Sequence, residues 1–270
     1  MMVGREVLFQ YHRATQTPGE VVLSLQHVTA RGARGTHALR EISLDVRRGE
    51  IVGIAGVAGN GQSELADAIA GLLRVESGQI LLGGRDITNG APDSITRHGL
   101  GYIPEDRQET GLLLEMSISE NLILKEHNRP PFASHATLDG PAIRKNAEKL
   151  VQTYNIRVPS VTAPVDYLSG GNQQKVVLAR EFGLAPQLMV AAQPTRGLDV
   201  GATESIRKLL LAGRQQQMAI LLISTELEEI LGLSDRILVM FGGRVVYEVD
   251  AAQADPEAIG LAMAGEDVAC

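Results

Sequence analysis

The stretch "EIVGIAGVAGNGQSELADAIAG" (residues 50–71) decides how the rest of the chain is read. Its first residues are nearly continuous in apolar type, the pattern of a strand buried on both faces of a parallel sheet. Gly56, Gly59 and Gly61 then supply a loop. Beyond it Leu65, Ala68, Ile69 and Leu72 recur at helical spacing, with Gly71 near the expected end. Strand, glycine loop, helix is the order a phosphate site needs: glycines let successive N–H groups turn inward, and the helix adds its positive end. The fixed positions of the pattern G-x-x-x-x-G-K-[ST] fall on Gly56, Gly61, Gln62 and Ser63. Ser63 can offer a hydroxyl to Mg²⁺, but Gln62 brings no charge where the pattern has lysine. A hydrogen bond to a charged group contributes about 1.5–3 kcal/mol against about 1 for a neutral one, so binding weakens without vanishing. On the loop alone, a weakened nucleotide site and an ordinary tight turn stand level.

Working outward, "LSGGNQQK" (168–175) opens a second helix with small residues and free backbone donors, again suited to an anion. "LMVAAQPTRGLD" (188–199) reads as a buried strand ending in a loop that carries Asp199. Further strands are expected at "VVLSLQHVT", "ISLDV", "LGYI" (100–103), "AILLIS" (219–224) and "RILVM" (236–240), with a hairpin at "FGGRVVYEV". Helical spacing falls at about 118–126, 139–155, 172–184, 201–216 and 226–232. The block from roughly 112 to 184 is expected to be almost all helical, a subdomain inserted between two strands of an α/β core. "ATQTPGE" (14–20) reads as a linker, so residues 1–20 are set apart from a domain at 21–265.

Composition narrows the function classes. A formal charge of −7, no Trp, five Tyr and four Phe disfavour a nucleic-acid track, and nucleic acid is not expected as a partner. The single cysteine, Cys270, allows no intramolecular disulfide and no thiolate metal site, which fits a reducing compartment. No apolar run of about 18 residues is present, so a role at a membrane requires another chain to span it.

Taken together, the phosphate loop, the LSGG run, the strand ending at residue 193 and the GLD loop occur in the order and spacing of the nucleotide-binding domain of ABC transporters, which the chain resembles over about residues 21–250. The resemblance implies a P-loop NTPase (RecA-like) α/β fold: a parallel-sheet core, an antiparallel β subdomain and a helical subdomain at about 112–180. It implies ATP and Mg²⁺ as cofactors, with Gly56, Val57, Ala58, Gly59, Asn60, Gly61, Gln62, Ser63 and Glu64 around the phosphates and Ser63 on the metal. In that family two domains pack head to tail, so Ser169, Gly170, Gly171, Asn172 and Asp199 would face an ATP held by a partner domain.

The departures lie on one side of this arrangement. Where the family has a metal-supporting Asp and a water-polarising Glu, this chain has Ala192 and Gln193. Losing a positioned base commonly costs about 10²–10⁴ in rate. Thr225 stands for the family's γ-phosphate-sensing His, Glu105 for its Gln, and the adenine-stacking aromatic expected near 30–37 is absent, with Arg31, Arg34 or His37 as weak substitutes. Gln193, Thr225 and Glu105 are therefore degenerate catalytic positions, while the LSGG run is intact. Such asymmetry resembles the second of two fused domains in importers for simple sugars and nucleosides, and "MVGREV" resembles the junction between the halves. The partners this implies are a competent second ATP-binding domain, transmembrane permease subunits and, indirectly, a solute-binding protein, at the cytoplasmic face of the plasma membrane. The alternatives are a soluble ABC-type ATPase acting on ribosome or DNA, and a non-catalytic dimer scaffold.

Plainer readings fit other residues. Glu226, Glu228 and Glu229 read as a solvated helix start. Glu105 with Asp106 reads as a surface loop, and Glu181 as salt-bridged along its helix. Met116, Met189, Met218 and Met240 read as core filling.

Overall fold

Side chains that alternate between two faces dictate how the layers stack. The computed structural model describes residues 16–33, 35–134 and 137–266. In chain order these hold β1 (Val21–Arg31), β2 (His37–Arg47), β3 (Ile51–Ala55), α1 (Gln62–Ile69), β4 (Val75–Leu82), β5 (Arg85–Asp86), α2 (Pro92–Arg97) and β6 (Leu100–Ile103). Next come α3 (Ile118–Ile123), β7 (Ala133–Ser134), β8 (Thr137–Leu138), α4 (Gly140–Thr153), α5 (Gly170–Gly183) and β9 (Leu188–Ala192). The chain closes with α6 (Val200–Gln215), β10 (Ala219–Ser224), α7 (Leu227–Leu233), β11 (Arg236–Phe241), β12 (Arg244–Asp250) and α8 (Pro256–Ala264).

The main sheet has the order β12-β11-β3-β10-β9-β6, with every pairing parallel except β11 with β12. Its central strands β3, β9 and β10 are buried at every residue, which explains their unbroken apolar sequence. Val52, Ile54, Val190, Leu221 and Ile223 pack toward α1 and the antiparallel sheet β2-β1-β4-β5. Ile51, Met189, Ala191, Ile220 and Leu222 pack on the other face with Val176 and Ala179 of α5, Ile206 and Leu210 of α6, Ile230 of α7 and Ile259 of α8. At about 25 cal/mol per Å² of apolar area, these two layers supply the dominant stabilisation.

Several expectations change in detail. The hairpin β4–β5, helix α2 and helix α8 were not anticipated. The inserted block is not almost all helical, because β7 and β8 pair within it and residues 154–169 run mostly without regular helix. Within the expected linker, Gly19 donates to the Arg48 carbonyl and Glu20 accepts from the Arg48 N–H, so its last residues are tied to the turn after β2. Residues 1–15, including "MVGREV", together with Arg34 and Cys270, lie outside the described residues.

Candidate functional site

The loop between β3 and α1 is shaped by what its glycines avoid. Gly61 has φ 103°, and a Cβ there would sit 2.5 Å from the Ala38 carbonyl oxygen. Gly59 has φ 90° and open space where a Cβ would be, so one wall of the loop is bare backbone. Helix α1 has no side-chain cap, which leaves the N–H groups of its first turn available to an anion. Gln62 is buried and folds inward: its Oε1 accepts from the Asn60 N–H at 3.1 Å and its Nε2 donates to the Val57 carbonyl at 3.0 Å. Asn60 is a brace the sequence did not reveal, since its Oδ1 accepts from the Gly242 N–H at 2.9 Å and so ties the loop to the β11–β12 turn.

Beside the loop lies a cavity of about 150 Å³ lined by Ala58, Gly59, Gln62, Ser63, Glu105, Ala192, Gln193, Ile223 and Thr225. The loop, the end of β9, and Glu105 and Thr225 are therefore brought to one space. Parallel pairing explains it: β6 registers Ile103 on Ala191, and β10 registers Ile223 on Ala192, so the residues after these strands emerge together. Ser63 donates to Glu105 Oε2 at 2.7 Å, and Arg196 donates to Glu105 Oε1. Gln193 adopts φ 48°, and its Oε1 accepts from both the N–H and the hydroxyl of Thr225 at 3.3 Å. Neither side chain carries a group that could take a proton from water near neutral pH. Arg31, a substitute considered for adenine stacking, pairs with Glu76 at 2.8 Å, and His37 lies 3.6 Å from the same carboxylate.

A larger cavity of about 480 Å³ opens next to it between α1, β6 and the inserted helices, with Ser63, Asp67, Tyr102, Glu105, Lys125 and Arg180 among its lining residues. The Tyr102 hydroxyl donates to Asp67 at 2.9 Å. Burial raises the Asp67 pKa above the usual carboxylate range, a shift that the Tyr102 hydrogen bond opposes. Glu181 corrects one expectation. It is fully buried and binds across elements, accepting from Arg180 at 2.8 Å, from Lys125 at 2.6 Å and from the Tyr102 N–H at 3.1 Å. Burial lowers the Lys125 pKa, and the Glu181 carboxylate acts against that shift. Glu229 also departs from a solvated helix start: it is buried, accepts from Thr195 at 2.8 Å, and burial raises its pKa. Asp106 caps the turn at Arg107–Gly111 through the N–H groups of Gln108 and Glu109, which hold its pKa down.

Ser169, Gly170, Gly171 and Asn172 form a separate feature, and neither cavity includes them. Ser169 is the exposed N-cap of α5; its hydroxyl accepts from Asn172 Nδ2 at 3.0 Å. Close packing accounts for Gly171, where a Cβ would lie 2.9 Å from Ala202 Cβ; a Cβ on Gly170 would meet only the end of the Arg107 side chain, 2.7 Å from Nη2. Asp199, also exposed, caps α6 by accepting from the Ala202 N–H at 2.9 Å. Arg107 bridges the two features, donating to the Arg196 carbonyl at 3.0 Å while lying against Gly170. Neither Arg107 nor Arg196 was singled out by sequence, since an arginine in a loop has no local pattern.

Comparison with known proteins bears on this geometry. Residues 39–196, more than half of the chain, match the family described as ABC transporter. The glucose import ATP-binding protein TsgD13 of Haloferax volcanii is 49% identical over 98% of this chain and 48% of its own length. The guanosine import ATP-binding protein NupO of Bacillus subtilis is 45% identical over 98% of this chain and 52% of its own length. The chain thus spans about half the length of the curated relatives it matches. Among solved structures, a nucleotide-free ATP-binding cassette from an ABC transporter superposes with a TM-score of 0.74 at 24% identity, covering 88% of this chain and 97% of that one. A dimeric cassette, MJ0796 in a post-hydrolysis state bound to ADP and Pi, gives 0.70 at 24% identity over 85% and 98%. At these identities the structural likeness concerns the fold.

Proposed function

The chain belongs to the ABC transporter family of ATP-binding proteins, and from that premise we propose that it is one ATP-binding half of an importer for simple sugars or nucleosides. In this reading its own loop holds a nucleotide weakly and turns it over slowly or not at all. Its Ser169–Asn172 run and Asp199 complete a second, competent ATP site on a partner domain. Phosphoryl transfer to water takes place there, with the base supplied by the partner.

One observation carries the reading. The space into which a terminal phosphate and its attacking water would fit is lined by Ala192, Gln193 and Thr225, while Ser169 and Asp199 stand exposed on intact helix starts. Relatives whose names specify glucose and guanosine import support the substrate class. The residues fit the proposed cofactors: the uncapped α1 start and the bare Gly59 wall suit a polyphosphate, and Ser63 with Glu105 offers the hard oxygen donors Mg²⁺ prefers. When bound, Mg²⁺ would neutralise phosphate charge. The chain's part is to cradle the phosphates through backbone N–H groups and to hold Ser63 and Glu105 toward the metal.

Among the described residues no helix is long and apolar enough to cross a membrane. Work at the cytoplasmic face of a membrane therefore runs through permease subunits, docked at the groove between α1, β6 and the inserted helices, with a solute-binding protein acting indirectly. A tagged chain purified from gently solubilised membranes of its source cell tests this. We expect a polytopic permease and an ATP-binding domain with both strand-end carboxylates to copurify. Ribosomal or DNA-bound partners without a permease would refute the importer reading.

A further inference from the structure

A phosphate entering the loop between β3 and α1 would be held by backbone N–H groups, and the loop already uses one of them on itself. The Asn60 N–H donates to Gln62 Oε1 at 3.1 Å, and Gln62 Nε2 donates in turn to the Val57 carbonyl at 3.0 Å. One carboxamide therefore spans the loop from within. It fits because Gly56 has no side chain: a Cβ there would collide with Gln62 Nε2. Gln62 is only 6% exposed, yet it lines the 150 Å³ cavity together with Ser63, Gln193 and Thr225, so the amide lies at the edge of the space a nucleotide would enter. The frame around it is held from outside. Asn60 Nδ2 also donates to the Val57 carbonyl at 3.0 Å, and the Asn60 carbonyl accepts from the Gly243 N–H at 3.1 Å.

We propose that the Gln62 carboxamide is an internal occupant of the phosphate loop, an uncharged stand-in that competes with a nucleotide for the Asn60 N–H. The chemistry of the side chain suits it to this part. Its oxygen accepts as a phosphate oxygen would, and its nitrogen satisfies the carbonyl on the other side of the loop; a lysine has donors but no acceptor and could not close the loop in this way. The empty loop thus keeps its shape without a ligand. A nucleotide must break these two neutral hydrogen bonds and displace the amide before its phosphate reaches the Asn60 N–H, so competition weakens binding beyond the loss of charge alone. This inference rests on the nucleotide reading of the loop.

The test is the affinity of the full chain for a non-hydrolysable ATP analogue with Mg²⁺, measured by calorimetry on the natural chain, Gln62→Ala and Gln62→Met, with melting curves to show that the variants are folded. A side chain that contacts the nucleotide, or only braces the loop, loses affinity when its amide is removed; an occupant gains it. We expect both variants to bind about fivefold tighter, the contribution of about one neutral hydrogen bond no longer in competition. Amide exchange gives a second readout. Without nucleotide the Asn60 N–H should exchange faster in Gln62→Ala than in the natural chain, and the analogue should slow it again. Unchanged or weaker binding in Gln62→Ala, tightening in Gln62→Ala but not in Gln62→Met, or equal protection of the Asn60 N–H in the empty natural chain and variant would overturn the inference while leaving the nucleotide reading intact. No analogue binding to the natural chain or to either variant would overturn both.

Discussion

At position 62 a glutamine braces the loop from within, bonding Asn60 and Val57, and in doing so spends side-chain polarity that a lysine could direct at phosphate. Gln62→Lys is expected to tighten ATP binding by about 1 kcal/mol, roughly fivefold, the difference between neutral and charge-assisted hydrogen bonds. Turnover at this site should stay low, because Gln193 still cannot act as a base. Unchanged or weaker binding in a nucleotide titration would mean that the position does not face the ligand. Glu181 offers a test of packing: Glu181→Ala leaves Arg180 and Lys125 without their shared carboxylate, and should lower unfolding free energy by about 3–5 kcal/mol in urea titration. For Asp67 the sign follows from its raised pKa. A carboxyl with a folded pKa above its unfolded value near 4 contributes stability below that value and loses it as pH rises through the folded pKa. Asp67→Asn should therefore flatten the fall in stability as pH rises above about 4, and equal slopes for both proteins would contradict the assignment. The charge lost at 62, 192 and 193 was legible in the sequence because those positions sit inside a spaced motif. Glu181 and Glu229 were misjudged because burial by distant helices leaves no trace in the neighbouring residues.

Elements follow their local patterns wherever one layer covers each face. The unbroken apolar runs of β3, β9 and β10 announced their burial, and the starts of α3, α4 and α6 carry Ser117, Asp139 and Asp199 as caps. Strand β4 escaped notice because "VESGQILL" is exposed over its polar middle, and α2, at six residues, is too short to show a period. Helix α5 begins with two glycines that could pass for flexibility, yet their lack of side chains lets Arg107 and α6 approach. Gly171→Ala should push α5 from Ala202, costing about 1–3 kcal/mol of stability by overpacking, with a further loss of ATP turnover in the assembled pair. A variant with natural melting temperature and turnover would show that the approach is loose.

For the whole molecule the decisive property is asymmetry. In the proposed reading one chain carries a loop site lined by Ala192, Gln193 and Thr225, with no base of its own, and apart from it the exposed start of α5 with Asp199 beside it. Sequence spacing singled out the residues of both, whereas the clustering of Glu105, Arg196 and Arg107 emerged only when β6 and β9, far apart in the chain, came to lie side by side. The most direct test is steady-state ATP hydrolysis by the assembled transporter, with its partner domain and permease, carrying either Ser169→Arg or Gln193→Ala in this chain. We expect Ser169→Arg to abolish hydrolysis by blocking the partner's site and Gln193→Ala to leave it within about twofold, since a residue that is not the base costs little. Loss of activity in Gln193→Ala with activity retained in Ser169→Arg would place catalysis at this chain's own loop and contradict the proposal.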